Sequence, residues 1–388
     1  MPLYFLDDII SDSSINAQTL SAQGTVYALS GNSNEWNSSY TFVNANSTNI
    51  KNQPYTYISA TSSINTLYGS NSALGLYSNI LGGNNNKALS EYSFIGGGTC
   101  NTASGTFSNI VGGYYNIAYG DCSFIGGGFN NKAYDHSNIA GGRANCALGY
   151  ISNIGGGFDN IASGIVSNVA GGDTNIACGD YSNIGGGSNN TVSGNYSNIA
   201  GGNSNTTSGC YSNIAGGSFN NAIGNYSNVA GGAANTASGN DSNVAGGNYN
   251  IVSGNASNIA GGNYNIVSGN YSNIAGGNNN NASGYYSNIA GGKNNTASGK
   301  YSSILGGCKN DSIGYTNTFI LGSNLSASQT NYTYVNNLSS QGVIYGKQLN
   351  IGNAVVATSA TSGLVNKLEI FNSIGISLGF IPIYSTIS

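Results

Sequence analysis

The chain of 388 residues is poor in the side chains that most enzymes and nucleic-acid-binding proteins use. Only 6% of the residues are charged, and there are one His, one Met, one Trp and three Pro. Nine basic residues and a net charge of −4 give no basic surface for nucleic acid. With 39% hydrophobic residues the chain is no disordered polyampholyte. These deficits argue against nucleic-acid partners and against an ordinary α/β enzyme.

Long hydrophobic runs are also missing. The most apolar stretch, 374–383, is interrupted by Gly375, Gly379 and Pro382 and is far shorter than the roughly 20 residues of a membrane helix. The first eight residues lack the basic and long apolar regions of a secretory signal. We therefore expect no membrane insertion and a protein that stays where it is made or leaves as part of a particle.

The most abundant residues recur with a fixed period. Gly numbers 61 and Tyr 28, and between Ser78 and Asn310 a motif close to Tyr-Ser-Asn-Ile-Ala-Gly-Gly-Asn-x-Asn-x-Ala-Ser-Gly-Asn recurs sixteen times, at a spacing of fifteen residues with one of fourteen. We number positions from the Ser of each repeat, which is position 0. A strict short period predicts a solenoid whose turns bury their faces against their neighbours.

The conserved positions of the motif predict the shape of a turn. Position +2 is always Ile or Val, which indicates a strand facing a core. Positions +4 and +5 are always Gly and position +12 is Gly in fourteen copies, which we interpret as corners that need φ > 0 or a close backbone approach. We predict an all-β fold, a parallel β-solenoid or β-roll of about sixteen turns with two short strands per turn.

Position +8 is Asn in every copy, although Ser, Thr or Asp would be equally hydrophilic. An amide both donates and accepts, so identical amides can hydrogen-bond from turn to turn. We predict a structural Asn ladder formed by Asn86, Asn101, Asn116, Asn131, Asn145, Asn160, Asn175, Asn190, Asn205, Asn220, Asn235, Asn250, Asn265, Asn280, Asn295 and Asn310.

The predicted core is thin. One buried Ile per turn contributes about 1.5–3 kcal/mol, whereas ordering the backbone requires about 1–2 kcal/mol per residue. Position +3, which points opposite to the Ile, is nearly always small, as in Gly96, Ala140 and Ala200. This column would let another chain pack closely, which favours a homotrimer of parallel rolls.

Runs such as Tyr196-Ser197-Asn198-Ile199-Ala200-Gly201-Gly202 resemble the head repeats of the YadA-like trimeric adhesins, with related repeats in virus and phage fibres. The resemblance covers about 78–322 and implies left-handed parallel β-rolls packed in threes. The chain departs from the bacterial pattern in carrying Gly-Gly where those heads often carry Ile-Gly or Val-Gly. No ligand-binding residue is carried over from the adhesins.

The flanking segments differ from the repeats. We divide the chain into an N-terminal attachment or linker segment (1–32), a possible short trimeric coiled-coil stalk (33–60), the β-roll rod (61–322) and a C-terminal β cap or tip (323–388). A polar linker is the alternative for the stalk, whose apolar spacing is weak. Within the cap, 364–388 predicts short strands with turns at 373–375 and 378–379.

The search for chemistry finds no catalytic site, cofactor site or metal site. His136 lies beside Asp135, and Asp121 occupies the same column one turn earlier, so a cation is conceivable there; the alternative is a solvated surface. The six Cys fall in six different columns of the repeat and therefore are expected to be free thiols. We predict no enzymatic activity.

Position −1 is aromatic in ten of the sixteen copies. An aromatic ladder can be a stacking stripe within the fold or a surface for sugars or a partner. The possible ligand-contact ladder comprises Tyr181, Tyr196, Tyr211, Tyr226, Tyr271, Tyr286 and Tyr301.

Two functions remain. The first is a structural fibre and adhesion protein of a virion, made in the host cytoplasm, displayed on the virion surface, joined at its N-terminus to a virion or tail component and meeting a host cell-surface glycan or protein. The alternative is a cellular surface adhesin of the trimeric autotransporter type, which would be extracellular.

Overall fold

The repeats form a parallel β-solenoid. The computed structural model describes residues 70–336 and, outside that range, the backbone of the strands Ile64–Asn65, Lys367–Phe371 and Ser377–Pro382. Each repeat is one turn, and every strand pairs with the equivalent strands of the turns before and after it. The predicted all-β parallel solenoid is confirmed. The segments 1–32 and 33–60 and much of 323–388 lie outside the described residues.

The first sheet contains the Ile and Val of position +2. Its 19 strands run parallel and in register, so that Ile199 pairs with Ile214. The strands are Ile64–Asn65, Asn79–Ile80, Phe94–Ile95, Asn109–Ile110, Phe124–Ile125, Asn138–Ile139, Asn153–Ile154, Asn168–Val169, Asn183–Ile184, Asn198–Ile199, Asn213–Ile214, Asn228–Val229, Asn243–Val244, Asn258–Ile259, Asn273–Ile274, Asn288–Ile289, Ser303–Ile304, Phe319–Leu321 and Thr333–Val335.

The second sheet contains positions +9 and +10. Its 16 strands are also parallel. They are Ser72–Ala73, Lys87–Ala88, Thr102–Ala103, Ile117–Ala118, Lys132–Ala133, Cys146–Ala147, Ile161–Ala162, Ile176–Ala177, Thr191–Val192, Thr206–Thr207, Asn221–Ala222, Thr236–Ala237, Ile251–Val252, Ile266–Val267, Asn281–Ala282 and Thr296–Ala297.

Position +6 adds a third line of backbone pairing that the sequence did not reveal. Single-residue parallel bridges connect this position from Asn84 through to Cys308. Each turn is therefore held at three places around its perimeter.

The solenoid is slightly longer than predicted. Nineteen strands in the first sheet define about eighteen turns, compared with the sixteen expected from the repeats. The extra turns come from degenerate sequence at both ends, because Ile64–Asn65 pairs with Asn79–Ile80 and Thr333–Val335 pairs with Phe319–Leu321. Parallel pairing thus continues past residue 322, where we placed the end of the rod.

Near the C-terminus, strands Lys367–Phe371 and Ser377–Pro382 form an antiparallel pair. Gly379 pairs with Ile370 inside this ladder, so the turn predicted at 378–379 is wrong. Nowhere in the part of the chain that the structure describes is there a helix long and apolar enough to span a membrane.

The interior of each turn is filled by four inward-facing side chains. The Ser of position 0, the Ile or Val of +2, the Asn of +8 and the small residue of +10 are buried throughout the repeats. In one turn these are Ser197, Ile199, Asn205 and Thr207, each at most 1% exposed. The hydrophobic core is therefore a narrow column of one Ile or Val and usually one Ala or Val per turn, as its predicted thinness required.

Two of the three Gly positions are sterically required. At +5, Gly202 has φ +98°, and a Cβ there would lie 2.2 Å from the carbonyl oxygen of Gly217 in the next turn. At +12, a Cβ on Gly209 would lie 2.1 Å from the carbonyl oxygen of Gly224. Both distances are shorter than two non-bonded atoms can reach. The turns can therefore stack only because these residues have no Cβ.

No close contact with the next turn requires the Gly of position +4. A Cβ on Gly201 would have nothing within 4 Å, and φ at this residue lies outside the left-handed region. Of the sixteen glycines at +4, fifteen have the same open space and the other would meet one oxygen at 3.9 Å. Eight of them have φ between 144° and 159°, which L side chains rarely adopt. The predicted need for φ > 0 at +4 therefore holds in half of the repeats, and the alternative of a close backbone approach within the chain holds in none.

Candidate functional site

We predicted that the Asn of position +8 hydrogen-bonds to the identical amides of adjacent turns. In the structure it hydrogen-bonds mainly to backbone groups. Asn205 donates from Nδ2 to the carbonyl oxygens of Gly201 in its own turn (3.1 Å) and Gly217 in the next (3.0 Å). Its Oδ1 accepts the backbone N–H of Asn220 at 3.0 Å, and its own N–H donates to Oδ1 of Asn190 at 3.1 Å. Each side chain thus ties adjacent turns together, although the Gly217 carbonyl oxygen also accepts the backbone N–H of Asn203 at 2.9 Å.

Direct amide–amide bonds within this column are the exception. They occur at four rungs, at 3.1–3.2 Å, between Asn101 and Asn86, Asn160 and Asn145, Asn190 and Asn175, and Asn280 and Asn265.

A second Asn ladder lies on the outside of the first sheet, at position +1. Here Nδ2 of one turn donates to Oδ1 of the next at 2.6–3.1 Å, in one run from Asn138 to Asn198 and another from Asn213 to Asn288. Our sequence analysis gave this column no role. The signal was present in the sequence, because Asn occupies +1 in most of the repeats.

The aromatic side chains of position −1 form three stacked columns. Ring centroids are 4.7–5.4 Å apart and the planes are within 19° of parallel. The columns are Tyr77–Tyr92–Phe107, Tyr181–Tyr196–Tyr211–Tyr226 and Tyr271–Tyr286–Tyr301. All ten side chains remain 39–56% exposed.

Stacking limits what this column can bind. Inside a column each ring face is covered by its neighbour, so a sugar can stack only on the outer face of a terminal ring such as Tyr226 or Tyr271. Elsewhere a ligand meets ring edges and phenol hydroxyls. The ladder as a ligand surface stays a prediction.

The backbone at position −1 is unusual for aromatic residues. All ten have φ between 54° and 57°, in the left-handed region that costs a non-Gly residue roughly 1–2 kcal/mol. The column therefore keeps Tyr where Gly or Asn would be less strained. Stacking, which is worth about 0.5–1.5 kcal/mol per pair, offsets part of that strain.

A further aromatic surface at positions +6 and +7 was missed by our sequence analysis. Tyr114 stacks on Phe129 with centroids 5.6 Å apart, and Arg143 follows in the same column. A hydrogen bond with Tyr114 raises the pKa of Tyr115 to about 12. These residues stand in the most variable column of the repeat, so no periodic signal marks them.

The acidic residues near His136 serve the backbone. Oδ1 of Asp121 accepts the N–H of Thr106 at 2.7 Å, Oδ1 of Asp135 accepts the N–H of Asp121 at 3.1 Å, and the His136 ring packs on Tyr150. Among the residues that the structure describes, no group of three or more His, Cys, Asp or Glu side chains could hold a metal ion.

All six cysteines are free thiols. Burial raises the pKa of the Cys146 thiol, which keeps it protonated and poorly nucleophilic.

Position +3 forms an apolar column on the exposed side of the first sheet. It holds only Gly, Ala, Val or Leu in the sixteen repeats. The larger members lie toward the ends, where Leu81 is 55% and Leu305 49% exposed. A shallow groove near the C-terminal end of the column is lined by Ala275, Ala290 and Leu305, among others.

No family model matches the chain, and no curated protein matches it in sequence.

Proposed function

We propose that the protein is a structural and adhesive fibre protein of a virion, in which three copies associate into a stiff rod that reaches a host surface. The observation that carries the proposal is the apolar column at +3, accompanied at +4 by a Gly in every repeat. An uninterrupted apolar line along the whole length of a soluble rod is expected to be covered.

The occupant that fits this column is another copy of the chain. Ala200 at +3 is exposed and Gly201 beside it has open space where a Cβ would stand. A partner that covers this column must present a complementary surface with the same repeat over sixteen turns. A second and a third copy in parallel register meet that condition, and the absence of a Cβ at +4 allows their backbones to approach closely.

The composition and the length of the rod support a role as a spacer that holds a binding site away from the particle. Parallel strands spaced by about 4.8 Å give a rod of roughly 85 Å. Its surface carries few charges and repeats one chemistry, which suits spacing and weak multivalent contact. The six free thiols are consistent with assembly in a reducing cytoplasm.

The ends have different roles in this proposal. Residues 1–32 attach the fibre to a virion or tail component, and 323–388 form the tip that meets a host glycan or protein. Irregular segments on a rigid scaffold usually carry specific recognition. The Tyr column of position −1 is the alternative contact surface. We assign no enzymatic role to the protein.

The second candidate is a cellular surface adhesin of the trimeric autotransporter type. It is favoured by the resemblance of the repeats to YadA-like heads. Electron microscopy with an antibody against the rod separates the two: labelling of purified virus particles supports the fibre, whereas labelling of the outer surface of uninfected cells supports the adhesin.

Analytical ultracentrifugation of the full chain tests the assembly on which both candidates depend. A trimer at micromolar concentration is expected. A monodisperse monomer would overturn the trimeric rod whatever the antibody labels.

A further inference from the structure

We propose that Arg143 is the centre of a binding site for sugars that carry a carboxylate, on the side of the rod. It is the only Arg in the sequence. It occupies position +6, where parallel bridges pair it with Phe129 in the preceding turn and Phe158 in the following turn. This site is separate from the tip and from the Tyr column, and its existence does not depend on the fibre proposal.

The two Phe rings flank the guanidinium group. Cζ of Arg143 is 5.4 Å from the ring centroid of Phe129 and 5.4 Å from that of Phe158, both within cation–π range. Tyr114 stacks on the other side of Phe129 and extends the aromatic column. The side chain of an exposed Arg, which is ordinarily free to rotate, is therefore held between two rings.

Two rings on either side of the exposed guanidinium leave its solvent-facing N–H donors available. The N–H donors lie in the plane of the group and form the fork that pairs with two oxygens of a carboxylate. Within residues 70–336 no acidic side chain forms an ion pair with Arg143 and no side-chain acceptor bonds to it. Asp159 lies one turn away, but its backbone N–H, donating to the Arg143 carbonyl oxygen at 2.9 Å, is the contact that joins the two residues. The positive charge is thus ordered and unneutralised.

The surroundings favour a sugar over a peptide as the carrier of that carboxylate. Asn130 and Tyr115, at position +7 of the two preceding turns, are exposed and offer an amide and a hydroxyl. Such groups suit the hydroxyls of a glycan. Holding the fork in place before binding lowers the entropy lost on association.

The test measures binding of 3′-sialyllactose to the full chain by saturation-transfer NMR titration, with lactose as the neutral comparison. Arg143→Gln is expected to weaken binding roughly tenfold to a hundredfold, the range for losing hydrogen bonds to a charged group. Arg143→Lys is expected to lose nearly as much, because an ammonium lacks the planar fork.

Phe129 and Phe158 are positioning residues. Phe129→Leu and Phe158→Leu retain the charge and are each expected to weaken binding about twofold to fivefold, the range of one cation–π contact. Lys293→Gln is the matched control: Lys293 occupies the same position +6, so the charge change is identical, but no aromatic ring flanks it in the column. It should leave binding unchanged.

Several outcomes would overturn the assignment. Undiminished binding by Arg143→Gln, equal binding of lactose, or an equal loss in Lys293→Gln would each remove Arg143 from the site. If 6-sulfolactose or an acetylated Glu tripeptide bound better than sialyllactose, the ligand class would be wrong. Circular dichroism of each variant establishes that the solenoid is intact.

Discussion

At the scale of single residues, one amide per turn connects the polar backbone of adjacent turns. Asn205 is fully buried, and its side chain satisfies two carbonyl groups and one N–H. A residue of this kind is a structural element in its own right, because removing it leaves the N–H of buried Asn220 and the carbonyl oxygen of Gly201 without partners.

Asn205→Ala is therefore expected to destabilise the rod by about 1–3 kcal/mol, the cost of leaving the buried N–H of Asn220 unsatisfied. Asn203→Ala is the matched control, because Asn203 is exposed and its side chain accepts only the hydroxyl of Ser204. Thermal melting and amide hydrogen exchange at Asn220 report the difference. Equal melting temperatures and equal exchange in the two variants would show that the buried amides are dispensable.

Thr207 is a buried residue whose hydroxyl group destabilises the fold. Its side chain is 0% exposed and its Oγ1 has no hydrogen-bond partner, while the neighbouring turns place Val192 and Ala222 at the same position.

Thr207→Val removes the unpaired hydroxyl and keeps the shape of the side chain, so we expect a gain of about 1 kcal/mol and a higher melting temperature. Thr206→Val, at the outward position +9, should change stability little. A lower melting temperature in Thr207→Val would mean that the hydroxyl is satisfied in solution.

The residue scale is also where sequence analysis reached its limit. Invariant positions with one physical explanation, such as Ile199 facing inward, could be predicted from the repeat. The bonding partners of Asn205 could not, because a repeat shows that a residue is required without showing whether its partner is side chain or backbone. The position of Arg143 between two rings could not be predicted either. It depends on Phe129 and Phe158, which lie in a column where the residue type varies from turn to turn.

At the scale of the element, the unit is the turn. Backbone pairing connects each strand only with its equivalents in the adjacent turns, as Asn198–Ile199 pairs with Asn183–Ile184 and Asn213–Ile214. The turn that contains His136 has fourteen residues and lacks the Gly of +12, yet Asn138 still pairs with Phe124. The strands thus set the register, and the corner absorbs the missing residue.

Removing one complete turn should consequently leave a folded rod. Deletion of 197–211 joins Tyr196 to Ser212, restores the sequence of a repeat boundary and is expected to change the melting temperature by only a few degrees. Deletion of 197–204 is the control, because it leaves a partial turn that cannot bring Ile214 opposite Ile184. Far-UV circular dichroism and melting distinguish the two. Loss of fold on whole-turn deletion would show that stability depends on long-range contacts.

The period and the parallel register were predictable at this scale because both follow from fifteen-residue spacing and the position of Ile. The terminal turns at Ile64–Asn65 and Thr333–Val335 were not, since they keep the pairing geometry after the motif has degenerated.

At the scale of the whole molecule, the proposed association of copies can be tested at positions +3 and +4. Ala200→Leu introduces a large side chain into the proposed interface between copies and is expected to convert trimers to monomers in sedimentation velocity. Ser208→Leu places the same side chain at an exposed position directly after strand Thr206–Thr207 of the second sheet and should leave the trimer intact.

Gly201→Ala provides a finer test. In a single chain its Cβ would have open space, so the fold should be retained. Weaker trimers in this variant would locate the interface at position +4. If Ala200→Leu and Ser208→Leu sedimented alike as trimers, the copies would associate through another face.

The stacked aromatic columns give the rod optical properties of its own. The single Trp, Trp36, lies outside residues 70–336, so near-ultraviolet absorption of the solenoid comes mainly from Tyr. Phenol rings 4.8–5.0 Å apart and within 4° of parallel, as between Tyr181 and Tyr226, have transition dipoles close enough to couple. The near-ultraviolet circular dichroism of this protein therefore reports the alignment of successive turns, and its loss on heating would follow the separation of the stack without any added label.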